Sequence, residues 1–267
     1  MAESDWTKIE IQPGAITTLT LTSPSGLNLL HRETIEQFLS VLDNLHDDPD
    51  IRVLMITGGT HKAFSAGAHM RELLELPDVS RYVELGERLM NNIFQFPVPV
   101  IAIVNGYALG AGFSLAMACE IRLLSSTAKV GQLAVKNGLI PPFGDTQRLM
   151  RVVGIAKAKE IIYTGRILNA KEALEQGIAN HVFPLEELFE RAMSFAQEIA
   201  DSPTFAMRLV KETLNIGIAQ GYAAGYEAQR KALIQCLEHP DARIMLEQAL
   251  KRASKETRTD DHPVSPQ

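Results

Sequence analysis

The run Val100-Ile-Ala-Ile-Val-Asn-Gly-Tyr-Ala-Leu-Gly-Ala-Gly-Phe-Ser-Leu-Ala116 carries the densest signal for chemistry in this chain. A continuous apolar strand runs into Gly106, Gly110 and Gly112, and helix-forming residues follow. Glycines at such a junction let the backbone turn tightly and aim free N–H groups into a cavity. The helix N-terminus adds positive partial charge there. Such groups suit a phosphate or a developing oxyanion, and a closely packed connection competes evenly for the same glycines. A second segment runs from Lys62 to Arg71. Its small residues Ala66, Gly67 and Ala68 would let a ligand approach the backbone, and Arg71 stands where a phosphate could be paired. Taken by itself this second segment reads as a loop capped by an exposed arginine.

Known motifs narrow the choice. The Gly-Lys-Ser/Thr of a phosphate loop is absent, and Leu115 occupies the third-glycine place of a dinucleotide fingerprint. Gly112-Phe-Ser-Leu-Ala116 echoes a nucleophile elbow, with Asp145 and His181 following in the expected chain order. An elbow serine sits on a turn directly after its strand, whereas Ser114 lies nine positions past Asn105, which favours a helix-facing serine. Neither cysteine belongs to a Cys-x-x-Cys pair, and no His-Glu-x-x-His occurs, so no metal site is expected.

The elements that must hold these residues follow from periodicity. Lys8–Gln12 and Ala15–Thr22 read as strands around the turn pair Pro13-Gly14. Ile51–Thr57, Val100–Val104 and Ile121–Ser125 read as buried parallel strands, alternating with helices over Glu33–Leu45 and Tyr82–Phe96. An Ala-, Leu- and Met-rich helix is expected between Val104 and Ile121. Beyond Pro184 the β signal ends, and helices are expected over Leu185–Ala200, Thr204–Ile216, Tyr222–Leu237 and Asp241–Ser254. The expectation is an α/β core over 1–201, a helical part over 202–256, and a polar, disordered tail over 257–267.

Bulk composition sets the outer limits. The 267 residues are 46% hydrophobic and carry a formal charge of −6 without a basic stripe, which argues against nucleic acid as a partner. No apolar run approaches the roughly 20 residues of a membrane span, and the charged opening is unlike a signal peptide. A cytoplasmic protein with Cys119 and Cys236 reduced is expected.

The two glycine-containing segments, in this order and spacing, closely resemble the crotonase (enoyl-CoA hydratase/isomerase) superfamily. Gly138-Leu-Ile-Pro-Pro-Phe-Gly-Asp-Thr-Gln-Arg-Leu, Leu27-Asn28, Gly154 with Lys157-Ala158, and the run from Thr164 to Val182 agree with it. The resemblance spans roughly residues 5 to 253. It implies a spiral of ββα units with a C-terminal helical oligomerisation part, forming a homotrimer or a dimer of trimers. It also implies an oxyanion hole for an acyl-CoA thioester, made by the amides of Ala68 and Ala111, that stabilises an enolate. Leu27, Ala66, Arg71 and Lys251 match coenzyme A contacts. Coenzyme A enters as part of the substrate, and no tightly bound cofactor is implied.

The chain departs from the family pattern at the acids. The two glutamates of hydration match Ser114 and Ala134, neither able to act as a carboxylate base, and an aspartate of other relatives matches Pro142. Asp145 and His69 remain. Asp145 is either a proton carrier or the N-cap of the following helix, the cap being favoured. His69 is either an acid/base or carboxylate-binding group or a supporting residue. Glu120 reads as structural. An isomerase or a malonyl-type decarboxylase is therefore expected over a two-glutamate hydratase. A catalytically silent acyl-CoA-binding homologue and a thioester hydrolase using Ser114 stand as alternatives.

Overall fold

Alternation along the central strands sets up the first layer. In the computed structural model, whose described residues are 6–259 with side chains through Lys251, all five residues of Val53–Thr57 and of Val100–Val104 are buried. Burial on both faces demands cover on both sides of the sheet. Leu54, Ile56, Val100, Ala102 and Val104 pack on one face. Val53, Met55, Ile101, Ile103 and Leu123 pack on the other, against Leu188, Ala192, Ala196 and Ala200 of one helix. Each fully buried Val, Leu or Ile contributes about 1.5–3 kcal/mol. Alanines at every fourth position let that helix lie close to the sheet.

In chain order the elements are β1 (Lys8–Gln12), β2 (Ile16–Thr22), α1 (Arg32–Leu45), β3 (Val53–Thr57), β4 (Ala63–Ser65), α2 (Met70–Glu75) and α3 (Val79–Phe94). Next come β5 (Val100–Val104), β6 (Tyr107–Leu109), α4 (Ala111–Ala118), β7 (Ile121–Ser125), β8 (Lys129–Gly131) and α5 (Asp145–Val153). Then follow α6 (Ile155–Thr164), β9 (Leu168–Asn169), α7 (Ala170–Glu175), β10 (His181–Phe183) and α8 (Leu188–Ala200). A six-stranded sheet has the order β1-β2-β3-β5-β7-β10, and a four-stranded sheet the order β4-β6-β8-β9. Three times the chain lays one strand in the large sheet and the next in the small one before a helix returns it. This is the expected spiral of ββα units. The short strands β4, β6 and β8 are parallel, so their carboxyl ends open on the same side.

The chain divides into two compact units, 1–204 and 205–267. In the second, the helices α9 (Thr204–Gln220), α10 (Tyr222–Glu238) and α11 (Pro240–Thr259) follow one another. α9 and α10 cross where a Cβ on Gly225 would lie 2.8 Å from the Cα of Gly217, so only glycine fits. Val210, Leu214, Ile218, Tyr222, Tyr226 and Leu233 are exposed on these two helices. Helix α11 continues to Thr259, three residues into the stretch expected to be disordered, because that polar sequence still lacks a helix breaker. The remainder, 260–267, lies outside the described residues. No helix among the described residues is long and apolar enough to cross a membrane.

The structure adds β4, β6 and β8, three residues each, which are too short and glycine-flanked to show a period of two. They shorten the helix expected between Val104 and Ile121 to Ala111–Ala118.

Candidate active site

Strands β4 and β6 pair in parallel, and each ends in a sharp turn. After β4 the backbone passes through Gly67 at φ 108°, and after β6 through Gly110 at φ 53°, both in the region that favours glycine. A Cβ on Gly67 would meet the Leu109 carbonyl oxygen at 2.6 Å and the Ala111 amide nitrogen at 3.4 Å. One on Gly112 would meet the Ser65 carbonyl oxygen at 2.0 Å. The glycines therefore bring the two segments against each other, as the close-packing reading of the sequence requires.

Ala68 follows Gly67 directly, and Ala111 is the first residue of α4. Neither amide N–H has a hydrogen-bond partner among the described residues. Neighbouring contacts fix both segments: the Leu30 amide donates to the Gly67 carbonyl (2.8 Å), and the Ser114 amide to the Gly110 carbonyl (3.0 Å). Two free amides at the carboxyl ends of adjacent parallel strands, one at a helix N-terminus, are donors of the kind that suits an oxyanion.

Asp145 stands beside the first turn of α4. Gly144, at φ 91°, takes the N-cap position of α5 with no side-chain cap, and Asp145 is the first helical residue. The cap favoured by the sequence is thus overturned: the carboxylate turns inward and is completely buried. Its Oδ2 accepts from the Ser114 hydroxyl (2.6 Å) and from the Gln132 side-chain amide (2.5 Å). Its Oδ1 is buried without a partner. Gln132 is oriented by the Ala134 amide, which donates to its Oε1 (3.3 Å). Burial pushes the Asp145 carboxyl up from 3.8 to about 6, while the two hydrogen bonds and the charge of Arg148 pull the other way.

The loop ahead of Asp145 is held from a distance. Phe143 has φ 57°, and its buried ring occupies the space over Gly86 of α3, where a Cβ would come within 2.1 Å of it. Tyr82 packs on the same ring, with centroids 6.0 Å apart. Arg148 donates to the Phe143 carbonyl (2.5 Å) and to Asn91 (3.1 Å).

Other expected residues fall in place or out of it. Ser114 is fully buried with its hydroxyl committed to Asp145. His181 on β10 stacks with Phe183 and packs at an angle against Phe195 of α8, so no histidine joins Ser114 and Asp145 among the described residues. His69 is the N-cap of α2, its Nδ1 accepting from the Glu72 amide (3.2 Å). Leu27 is exposed, and its carbonyl accepts from the Ala66 amide (2.8 Å). Arg71 is exposed on α2 with no ion-pair partner among the described residues. Lys251 is exposed on α11 of the second unit. Glu120 accepts from the Val100 amide (2.7 Å), a structural use. Sequence reasoning missed Gln132 as a partner of Asp145 and Phe143 as the wedge over Gly86, because only tertiary contact reveals either.

Comparison with known proteins gives a consistent result. The family model described as enoyl-CoA hydratase/isomerase matches residues 11–256. The chain is 36% identical over 232 residues to enoyl-CoA hydratase domain-containing protein 2, mitochondrial, of Mus musculus, covering 85% of this chain and 78% of that protein. It is 34% identical over 230 residues to the short-chain-enoyl-CoA hydratase of Clostridium acetobutylicum, covering 85% and 88%. Among solved structures, an enoyl-CoA hydratase from Bacillus anthracis superposes with a TM-score of 0.87 at 32% identity, covering 92% of this chain and 96% of that one.

Proposed function

The chain belongs to the enoyl-CoA hydratase/isomerase family, and from that premise we propose that it shifts the double bond of an enoyl-CoA thioester, with Asp145 carrying the proton. The thioester carbonyl oxygen accepts from the amides of Ala68 and Ala111. Ionised Asp145 removes a proton from the carbon next to the carbonyl of a 3-enoyl thioester, and the electron pair moves onto the oxygen as a dienolate. The same carboxyl then returns the proton to the fourth carbon, leaving the double bond conjugated with the carbonyl. Each oxyanion donor supplies about 3 kcal/mol to such a step, and a positioned base about 10²- to 10⁴-fold.

The observation that carries this reading is a single buried carboxyl, raised to about 6, beside the first turn of α4. Two-glutamate hydration is disfavoured because Ser114 and Ala134 match those positions and cannot titrate as carboxylates. A malonyl-type substrate would bring its own carboxylate against Asp145, which favours isomerisation over decarboxylation. Coenzyme A is part of the substrate, with Leu27, Ala66 and Arg71 as its contacts on the first unit. The exposed apolar residues of α9 and α10 support a homotrimer or dimer of trimers, checked by light scattering.

The test is a panel of 2-enoyl, 3-enoyl and malonyl thioesters with product identification by mass spectrometry and NMR. We expect conversion of 3-enoyl to 2-enoyl thioester, lost in Asp145→Asn. No conversion of any substrate by a protein that still binds acyl-CoA assigns it instead as a silent homologue. Thioester cleavage lost in Ser114→Ala assigns it as a hydrolase.

A further inference from the structure

His31, at the N-cap of α1, meets His69 and Glu72 from the start of α2, next to Ala68 in the chain. Each offers one potential metal-ligand atom, and these atoms lie within 4.8 Å of one another. The imidazoles stack with centroids 4.5 Å apart. His31 is 4% exposed, and its Nδ1 is buried without a hydrogen-bond partner. The Oε2 of Glu72 is likewise buried and unpartnered, while its Oε1 accepts from the Arg32 amide (3.0 Å). A buried imidazole nitrogen and a buried carboxylate oxygen left without partners beside a second imidazole are costly unless a cation or donor joins them.

We propose that His31, His69 and Glu72 form a binding site for a divalent transition-metal ion of the zinc class. Two imidazoles and one carboxylate are a recognised zinc donor set that leaves a fourth position for water. The side chains must close on the ion, since zinc–ligand bonds are about 2.0–2.2 Å. His69 gives up its cap in doing so. If Nδ1 binds the ion, its lone pair is used; if Nε2 binds, the proton moves to Nδ1, which then cannot accept from the Glu72 amide. Occupancy therefore releases the Glu72 N–H at the start of α2. The site is independent of the reaction assigned to Asp145.

The test uses the full-length protein stripped with EDTA and titrated with Zn²⁺ by calorimetry and with Co²⁺ by visible absorption. We expect one ion per chain, intense tetrahedral Co²⁺ bands, and faster hydrogen exchange at the Glu72 amide when Zn²⁺ is bound. His31→Phe, which keeps a stacking ring without nitrogens, should abolish binding. Glu72→Gln, which keeps the acceptor for Arg32, should weaken it about tenfold or more. His46→Phe, which alters an exposed histidine paired with Asp47, should leave the isotherm unchanged. An unaltered isotherm in both His31→Phe and Glu72→Gln, or no binding by the wild-type protein, refutes the site. If His31→Phe does not fold, Glu72→Gln and the exchange at its amide decide the matter.

Discussion

Replacing Asp145 with asparagine removes a charge while keeping the shape of a completely buried side chain. The carboxyl is held at about 6 instead of 3.8, which corresponds to about 3 kcal/mol at 1.36 kcal/mol per pKa unit. Because the folded pKa lies above the unfolded one, the folded protein holds the proton longer. The carboxyl therefore costs nothing at pH below 3.8, costs progressively more as pH rises to about 6, and has its full effect above that. Asparagine can still accept from Ser114 and Gln132, but its NH₂ takes the place of an oxygen that has no partner. An unsatisfied buried donor costs about 1–3 kcal/mol. The variant should then match wild type or be more stable by up to about 2 kcal/mol at pH 8, and be weaker than it at pH 4. Urea unfolding of both proteins at pH 4, 6 and 8, at one protomer concentration, measures this difference directly. Other titrating groups are common to both proteins and cancel. A difference that does not change with pH, or a wild-type protein more stable than Asp145→Asn at pH 8, would refute the reasoning.

Further expectations concern the same carboxyl and its supports. As a base, Asp145 must be ionised, so kcat/KM for a 3-enoyl thioester should rise with pH through about 6 and then level off; a profile that falls through that range contradicts the assignment. The Ser114 hydroxyl lowers the Asp145 pKa, so Ser114→Ala should move the rising limb to higher pH without creating or removing thioester hydrolysis. In Gly86→Ala the new methyl would come within 2.1 Å of the Phe143 ring. Overpacking there should cost about 1–3 kcal/mol in urea melts and lower kcat more than it changes KM, since the displaced loop carries Asp145.

Much of this arrangement was legible in the sequence, for identifiable reasons. The continuous apolar runs of β3 and β5 could be read as buried strands because both faces of the sheet are covered. Gly67, Gly110 and Gly112 could be read as special because turns and close approaches leave few other residues possible. Asp145 could not be settled that way. Asp ahead of Thr-Gln-Arg-Leu has the same local pattern whether it caps the helix or turns inward. The decision is made by Gly144 at φ 91° and by Phe143 wedged over Gly86, a residue distant in sequence. Gln132 and the meeting of His31 with His69 are likewise products of the ββα spiral, with no spacing to announce them. His69 shows the opposite case. Its sequence position allowed a chemical or a supporting role, and the short helix α2 uses it as a cap.

A crystal structure of Asp145→Asn holding a 3-enoyl-CoA thioester puts the central claim to the most direct trial. We expect the thioester oxygen to lie about 2.7–3.1 Å from both the Ala68 and Ala111 amide nitrogens, with the residue 145 side chain over the second and fourth carbons of the acyl chain. A thioester oxygen bound elsewhere, or an acyl chain on the far side of α4 from residue 145, would contradict it.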